Sequence, residues 1–146
     1  MRLTLLAILM AAAVADFREM KISNRLIAFG LFLGLAFRIL VEGSAGIVHF
    51  LVNISIPVIL LFFLFQMRAL GAGDIKLFSV AGGFLAAGQL FALMTMSFLA
   101  AGVIGIAKLL WQRATTGSFG SGRTLIHFSL AILIGYFVVV WGCAFE

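Results

Sequence analysis

IVHFLVNISIPVILLFFLFQM, residues 47–67, runs from Ile47 to Met67 without one acid, lysine or arginine. A helix rises about 1.5 Å per residue, so ~20 apolar residues cross a hydrocarbon core about 30 Å thick. This stretch therefore reads as a membrane-spanning helix, with Pro57 expected to kink it. The rest of the chain agrees. Of 146 residues, 64% are hydrophobic and 10% charged, and the mean hydropathy is +1.27. Soluble domains run nearer half apolar and a quarter charged. An ordinary soluble enzyme is excluded, and so is disorder, which needs low hydrophobicity and high charge. There is room for about six or seven spans and little else, so any chemistry must sit in the bilayer or at its edge.

Outward from that segment, polar punctuation divides the chain into six apolar runs. They are Leu3–Ala15, Leu26–Val41, Ile47 to about Met67, Ile75–Ala87, Leu90 to about Trp111, and Leu125–Cys143. Backbone in lipid must be bonded internally, and the runs lack the polar alternation of a membrane barrel. The expected fold is an all-α integral membrane protein, a bundle of six transmembrane helices forming one domain over residues 1–146. Ser23 or Asn24 is placed to cap the second helix. Turns are expected at Glu42–Gly46 and at Gly88-Gln89, and a connector at Gln112–Thr124, read as flexible or as a flap over a partner. Small residues recur at four-residue spacing in Gly30/Gly34, Gly82/Ala86 and Ala101/Gly105. That spacing permits close helix packing within the bundle, or a homo-oligomer through Gly30/Gly34.

The net charge of +5 and pI near 10.4 fit orientation in a bilayer rather than nucleic-acid binding. Arg18, Lys21, Arg25, Arg68, Lys76, Lys108, Arg113 and Arg123 fall in or beside the three odd-to-even loops. The other side has Arg2, with Arg38 if it snorkels outward from the second run. Eight against two makes those loops cytoplasmic and both termini extracytoplasmic. A competing reading takes Ala13-Val-Ala15 before Asp16 as a signal-peptide cleavage site, and the charge bias opposes it. Cys143 is the lone cysteine, and His49 and His127 are far apart. No internal disulfide, thiolate zinc cluster, metal site or cofactor is expected.

Five acids remain. Glu146 is terminal, Glu42 lies in a turn, and Glu19 sits in a charged loop. Asp16 closes the first apolar run and Asp74 opens the fourth. These two runs, 3–15 and 75–87, are the shortest. Each covers only about 20 Å, so both acids belong at or just below the membrane surface. Length and charge bias independently bring them to one depth on the cytoplasmic face. Acids there are expensive and usually functional. Like charges held close cannot both ionise easily, so the pair shares a proton. One member can take a proton from water while the other hydrogen-bonds a scissile carbonyl. A plainer reading pairs each acid with a base such as Arg18 or Lys76, marking the interface.

Gly71-Ala72-Gly73-Asp74 reads G-x-G-D. Glycines ahead of a helix permit close approach of a substrate chain, and no strand or GK[ST] supports a phosphate-loop reading. With Asp16 at the same face, the chain resembles the type 4 prepilin peptidases, GxGD-class membrane aspartyl proteases. The likeness covers essentially the whole chain. Around the first acid it rests on Asp16 and Ile22-Ser23-Asn24, with Ser23 where relatives carry Pro. Around the second it rests on Gly71-Ala72-Gly73-Asp74-Ile75-Lys76-Leu77. Relatives often carry prolines near the start of the last span, and Ile126–Leu133 has none.

The resemblance implies a prokaryotic multi-pass cell-membrane endopeptidase that removes the short basic leader from prepilins or pilin-like proteins at the cytoplasmic face. Asp16 and Asp74 would be catalytic, supported by Gly71, Gly73, Lys76 and Asn24. Larger relatives also N-methylate the new terminus through a domain with paired CxxC motifs. Those motifs are absent here, so the expectation is peptidase activity alone. The sequence leaves two rivals: a small transporter or ion-relay subunit using the same acids, and a non-catalytic pilin-binding scaffold.

Overall fold

The computed structural model describes residues 1–19, 22–67, 70–116 and 128–142, all helical or in short turns. The elements are α1 (Arg2–Glu19), α2 (Asn24–Glu42), α3 (Ala45–Gln66), α4 (Ala72–Phe84), α5 (Ala87–Thr116) and α6 (Phe128–Gly142). Three of these, α2, α3 and α5, are long and apolar enough to cross a membrane. Their outward faces carry large apolar side chains such as Phe32, Leu40, Ile59, Phe63 and Trp111, the surface expected against lipid rather than water. Lys21, Arg68, Arg123, His127, Cys143, Glu146 and the segment 117–124 lie outside the described residues.

Side-chain bonds fix the relative directions of the helices. Ser129 of α6 reaches Asp16 near the end of α1, whereas Tyr136 further along α6 donates to the carbonyl of Arg2 at the start of α1, 2.7 Å away. These two helices are therefore antiparallel. Lys76 meets Asn24 where α4 and α2 begin, and Arg38 meets Gly83 and Leu85 where they end. Those two are parallel. The alternation brings the end of α1 and the starts of α2, α4 and α6 to one end of the bundle.

The shortest helix is the central one. α4 packs against every other helix, and nine of its thirteen residues are buried. A helix apolar on all sides belongs in the interior. Its neighbours approach closely: a Cβ on Gly82 would lie 2.4 Å from the Asn53 carbonyl oxygen of α3, and one on Gly30 of α2 would lie 2.8 Å from Val80. The Gly30/Gly34 stripe is thus used inside the chain, against α4 and Phe50 of α3.

α4 stops at Phe84, and Leu85–Ala86 form the turn. This corrects the expected turn at Gly88-Gln89, which instead lies inside α5. Ending a helix that deep exposes carbonyls with no internal partner. Arg38 and Asn53 supply the donors. Arg38 Nε donates to Gly83 O at 3.2 Å, Arg38 Nη2 to Leu85 O at 2.6 Å, and Asn53 Nδ2 to Leu85 O at 3.1 Å. Arg38 also pairs with Glu42, which meets His49 Nδ1 at 2.6 Å. Arg38 is only 7% exposed. The guanidinium therefore turns inward to two bare carbonyls rather than snorkelling to the surface, the alternative that the charge count had left open.

Three smaller differences follow from local geometry. The turn between α2 and α3 is Gly43–Ser44 alone, with Gly43 at φ 65°, where glycine is favoured. Ser23 occupies the cap position of α2 without a side-chain capping bond. α5 runs on to Thr116, so the connector expected from Gln112 begins as helix.

Candidate active site

At the shared end of the bundle, a cavity of about 330 Å³ is lined by Asp16, Ile22, Asn24, Gly71, Ala72, Gly73, Asp74 and Lys76. Every site residue expected from sequence is in that set. Asp16 is delivered by α1. Leu5, Leu9 and Ala12 are buried, and four-three-four spacing puts Asp16 on the same inward stripe. α1 is continuous through it to Glu19, so its direction is set by helix geometry rather than by a loop.

Asp74 is delivered by the first turn of α4, just ahead of the apolar run 75–87. Gly71 is the extended residue before the helix (φ −77°, ψ 147°), and its carbonyl accepts from the Asp74 N–H at 3.1 Å. A Cβ on Gly71 would sit 3.0 Å from Asp74 Oδ2. The first glycine of G-x-G-D thus leaves space for the carboxylate itself. The second leaves space for the loop leading into α2, since a Cβ on Gly73 would sit 3.2 Å from Ile22 Cδ1.

The electrostatics distinguish the two acids. Burial and then the nearby Asp16 carboxylate push Asp74 up from 3.8 to about 6, against a lowering hydrogen bond from the Gly71 backbone. That is the behaviour of a carboxyl held near a second one with little water. Lys76 points its ammonium to Asn24, with Nζ donating to Oδ1 at 2.9 Å. This joins α4 to α2 across the rim and places one positive charge beside the acids.

Sequence reasoning missed Ser129, whose hydroxyl donates to Asp16 Oδ2 at 2.5 Å. Ser129 is 2% exposed. The available signal was a hydroxyl in an otherwise apolar stretch, 128–135, but nothing in the sequence indicated which helix it would face. Among the described residues, no group of His, Cys, Asp and Glu could hold a metal ion.

Chemically, the cavity offers two carboxyl groups from different helices, one of them accepting a hydroxyl hydrogen bond from Ser129 beside the cavity, and an ammonium at the rim. Comparison with known proteins bears on what this performs. Residues 3–106 match the model of the type IV leader peptidase family, a span that includes both acids, Asn24, the glycines and Lys76 but not Ser129. No curated protein and no solved structure matches the chain.

Proposed function

Given that the chain belongs to the type IV leader peptidase family, we propose that it is a membrane aspartic endopeptidase. It removes the basic leader of prepilins or pilin-like proteins at the cytoplasmic face, using Asp16 and Asp74 to activate water. The observation that carries this reading is the meeting of the two acids, from α1 and α4, in one cavity with the G-x-G-D glycines.

In this mechanism the pair holds a single proton. The ionised carboxyl accepts a proton from a water molecule as that water attacks the scissile carbonyl carbon. The protonated one hydrogen-bonds the carbonyl oxygen where negative charge develops. Collapse of the tetrahedral intermediate breaks the C–N bond, the amine leaves with a proton from the pair, and one proton is again shared. Six membrane crossings with cytoplasmic odd-to-even loops would place the cavity where a basic leader arrives.

The direct test is co-expression with candidate prepilins and detection of leader removal by gel mobility. Processing by the wild-type chain is expected, and failure across a panel of prepilins by a correctly inserted protein would overturn the reading. Two finer predictions follow. With Asp74 near 6, the pair loses its last proton above that pH. The cleavage rate of the detergent-solubilised protein should therefore decline from about pH 6 upward, and a rate still climbing through pH 7 would contradict a proton-sharing pair. Gly71→Ala should lower cleavage about tenfold or more by displacing the Asp74 carboxylate. The fold should survive, since the Gly71 backbone angles suit alanine. Thermal unfolding measured beside cleavage separates the two effects.

A further inference from the structure

α6 lies wholly beyond the family match, yet it supplies the shortest polar contact in the cavity's surroundings. Its register is set by packing. Phe128 packs edge-on against Phe78 of α4 and tilted against Phe98 of α5, with ring centroids 6.1 and 5.4 Å away. At the middle of α6, Gly135 sits so close to Ser97 of α5 that an added Cβ would lie 2.6 Å from its hydroxyl. Between these anchors α6 cannot rotate without losing one of them. Ser129, next to Phe128, is thereby turned toward α1 and into hydrogen-bonding range of Asp16.

We infer that Ser129 is a positioning residue for the carboxyl pair: its hydroxyl donates to Asp16 Oδ2, which makes Asp16 the proton acceptor toward water and leaves the shared proton on Asp74. The inference deepens the peptidase reading and rests on it. A hydroxyl donates to a carboxylate more strongly than to a neutral acid, so the bond favours the proton lying on the other member. The bond also occupies one Asp16 oxygen and leaves the second for water. The environment of Asp74 agrees, since burial there disfavours the charged form. Among the described residues, the ionisable groups lining the cavity are Asp16 on α1, Asp74 on α4 and Lys76 on α4. α2 contributes the neutral Asn24 and α6, among the described residues, the neutral Ser129. Tyr136, the other hydroxyl of α6 against α1, is committed to the Arg2 carbonyl at the far end.

The test compares Ser129→Ala and Ser129→Thr with wild type. The control is Ser55→Ala, whose hydroxyl donates within its own helix α3 to Leu51 O, 2.7 Å away. Cleavage of a leader peptide gives kcat, KM and the pH profile. Infrared spectroscopy of the protonated carboxyl band, with Asp16→Asn and Asp74→Asn for assignment, gives the proton's location without relying on turnover. Ser129→Ala should lower kcat about tenfold, the worth of one hydrogen bond to a charged group. KM should be nearly unchanged and the pH profile displaced, Ser129→Thr should restore the wild-type kcat and profile, and Ser55→Ala should change neither. The carboxyl band of the wild type should vanish in Asp74→Asn and persist in Asp16→Asn.

A kcat and pH profile unmoved by Ser129→Ala, in an enzyme that needs both acids, overturns this inference alone. So does a carboxyl band that vanishes with Asp16→Asn instead, whether or not cleavage is seen. Cleavage indifferent to both acids overturns the peptidase reading itself.

Discussion

Asp16→Asn and Asp74→Asn should each abolish leader processing to within the limit of a gel assay, a loss of at least about 10²–10⁴-fold, the range for removing a general acid or base. Both substitutions preserve size and remove the titrating group. Asn at position 16 still offers an oxygen to Ser129. Losing either member stops the cycle, because one carboxyl must take a proton while the other holds one, so the double variant should be no worse than either single one. Stability should move the other way for Asp74. Its folded value, about 6, lies above its ordinary 3.8. A carboxyl raised in this way contributes stability that is present below 3.8 and lost as pH rises through 6. At about pH 7 the wild type bears that cost and Asp74→Asn does not. The variant should therefore melt at a higher temperature than wild type near neutrality, and the difference should close below the ordinary value. An inactive Asp74→Asn that also melts lower near neutrality would mean that the acid supports the fold rather than strains it.

The second large effect is at the opposite end of α4. Arg38→Leu should destabilise the protein by about 2–4 kcal/mol, because it leaves the Gly83 carbonyl without its donor and weakens the satisfaction of Leu85 in a buried setting. Asn53 still reaches Leu85, so the loss falls short of unfolding α4 outright. Arg38→Lys keeps the charge near the helix end but cannot fork to two carbonyls, and it should fall between. Unfolding in detergent, followed by fluorescence of Trp111 and Trp141, measures both. An Arg38→Leu protein as stable as wild type would show that water, not the guanidinium, satisfies those carbonyls. Leader cleavage should fall in parallel, since α4 is the element that carries Asp74.

Much of this protein was legible before any coordinates. The charge-free run 47–67, the brevity of 3–15 and 75–87, and G-x-G-D were enough to expect helices in a membrane and two aspartates at one depth. Their placement at one end of the bundle follows from helix alternation, which needs only the loop count, whereas their meeting in one cavity depends on which faces pack. Those signals are local. Hydropathy and helix length act residue by residue, and a glycine ahead of a helix has the same steric meaning in any fold.

What the sequence could not decide depended on which faces met. Arg38 looked like a surface anchor because nothing in its own helix reveals that α4 ends early with carbonyls turned toward it. The early end of α4 was itself hidden, since Leu85 and Ala86 are as apolar as the helix they terminate. Ser129 was hidden for the same reason. Its chemistry is set by a carboxylate on α1, 113 residues away along the chain, and by the rotation of α6 about its axis, which Phe128 and Gly135 impose through α4 and α5. By itself the sequence determined a set of apolar helices, several long enough for a membrane, and two aspartates at helix ends, because each follows from local composition and spacing. Only the tertiary structure decided which polar groups serve those elements, because hydrogen bonds are short and directional and exist only once distant faces have packed.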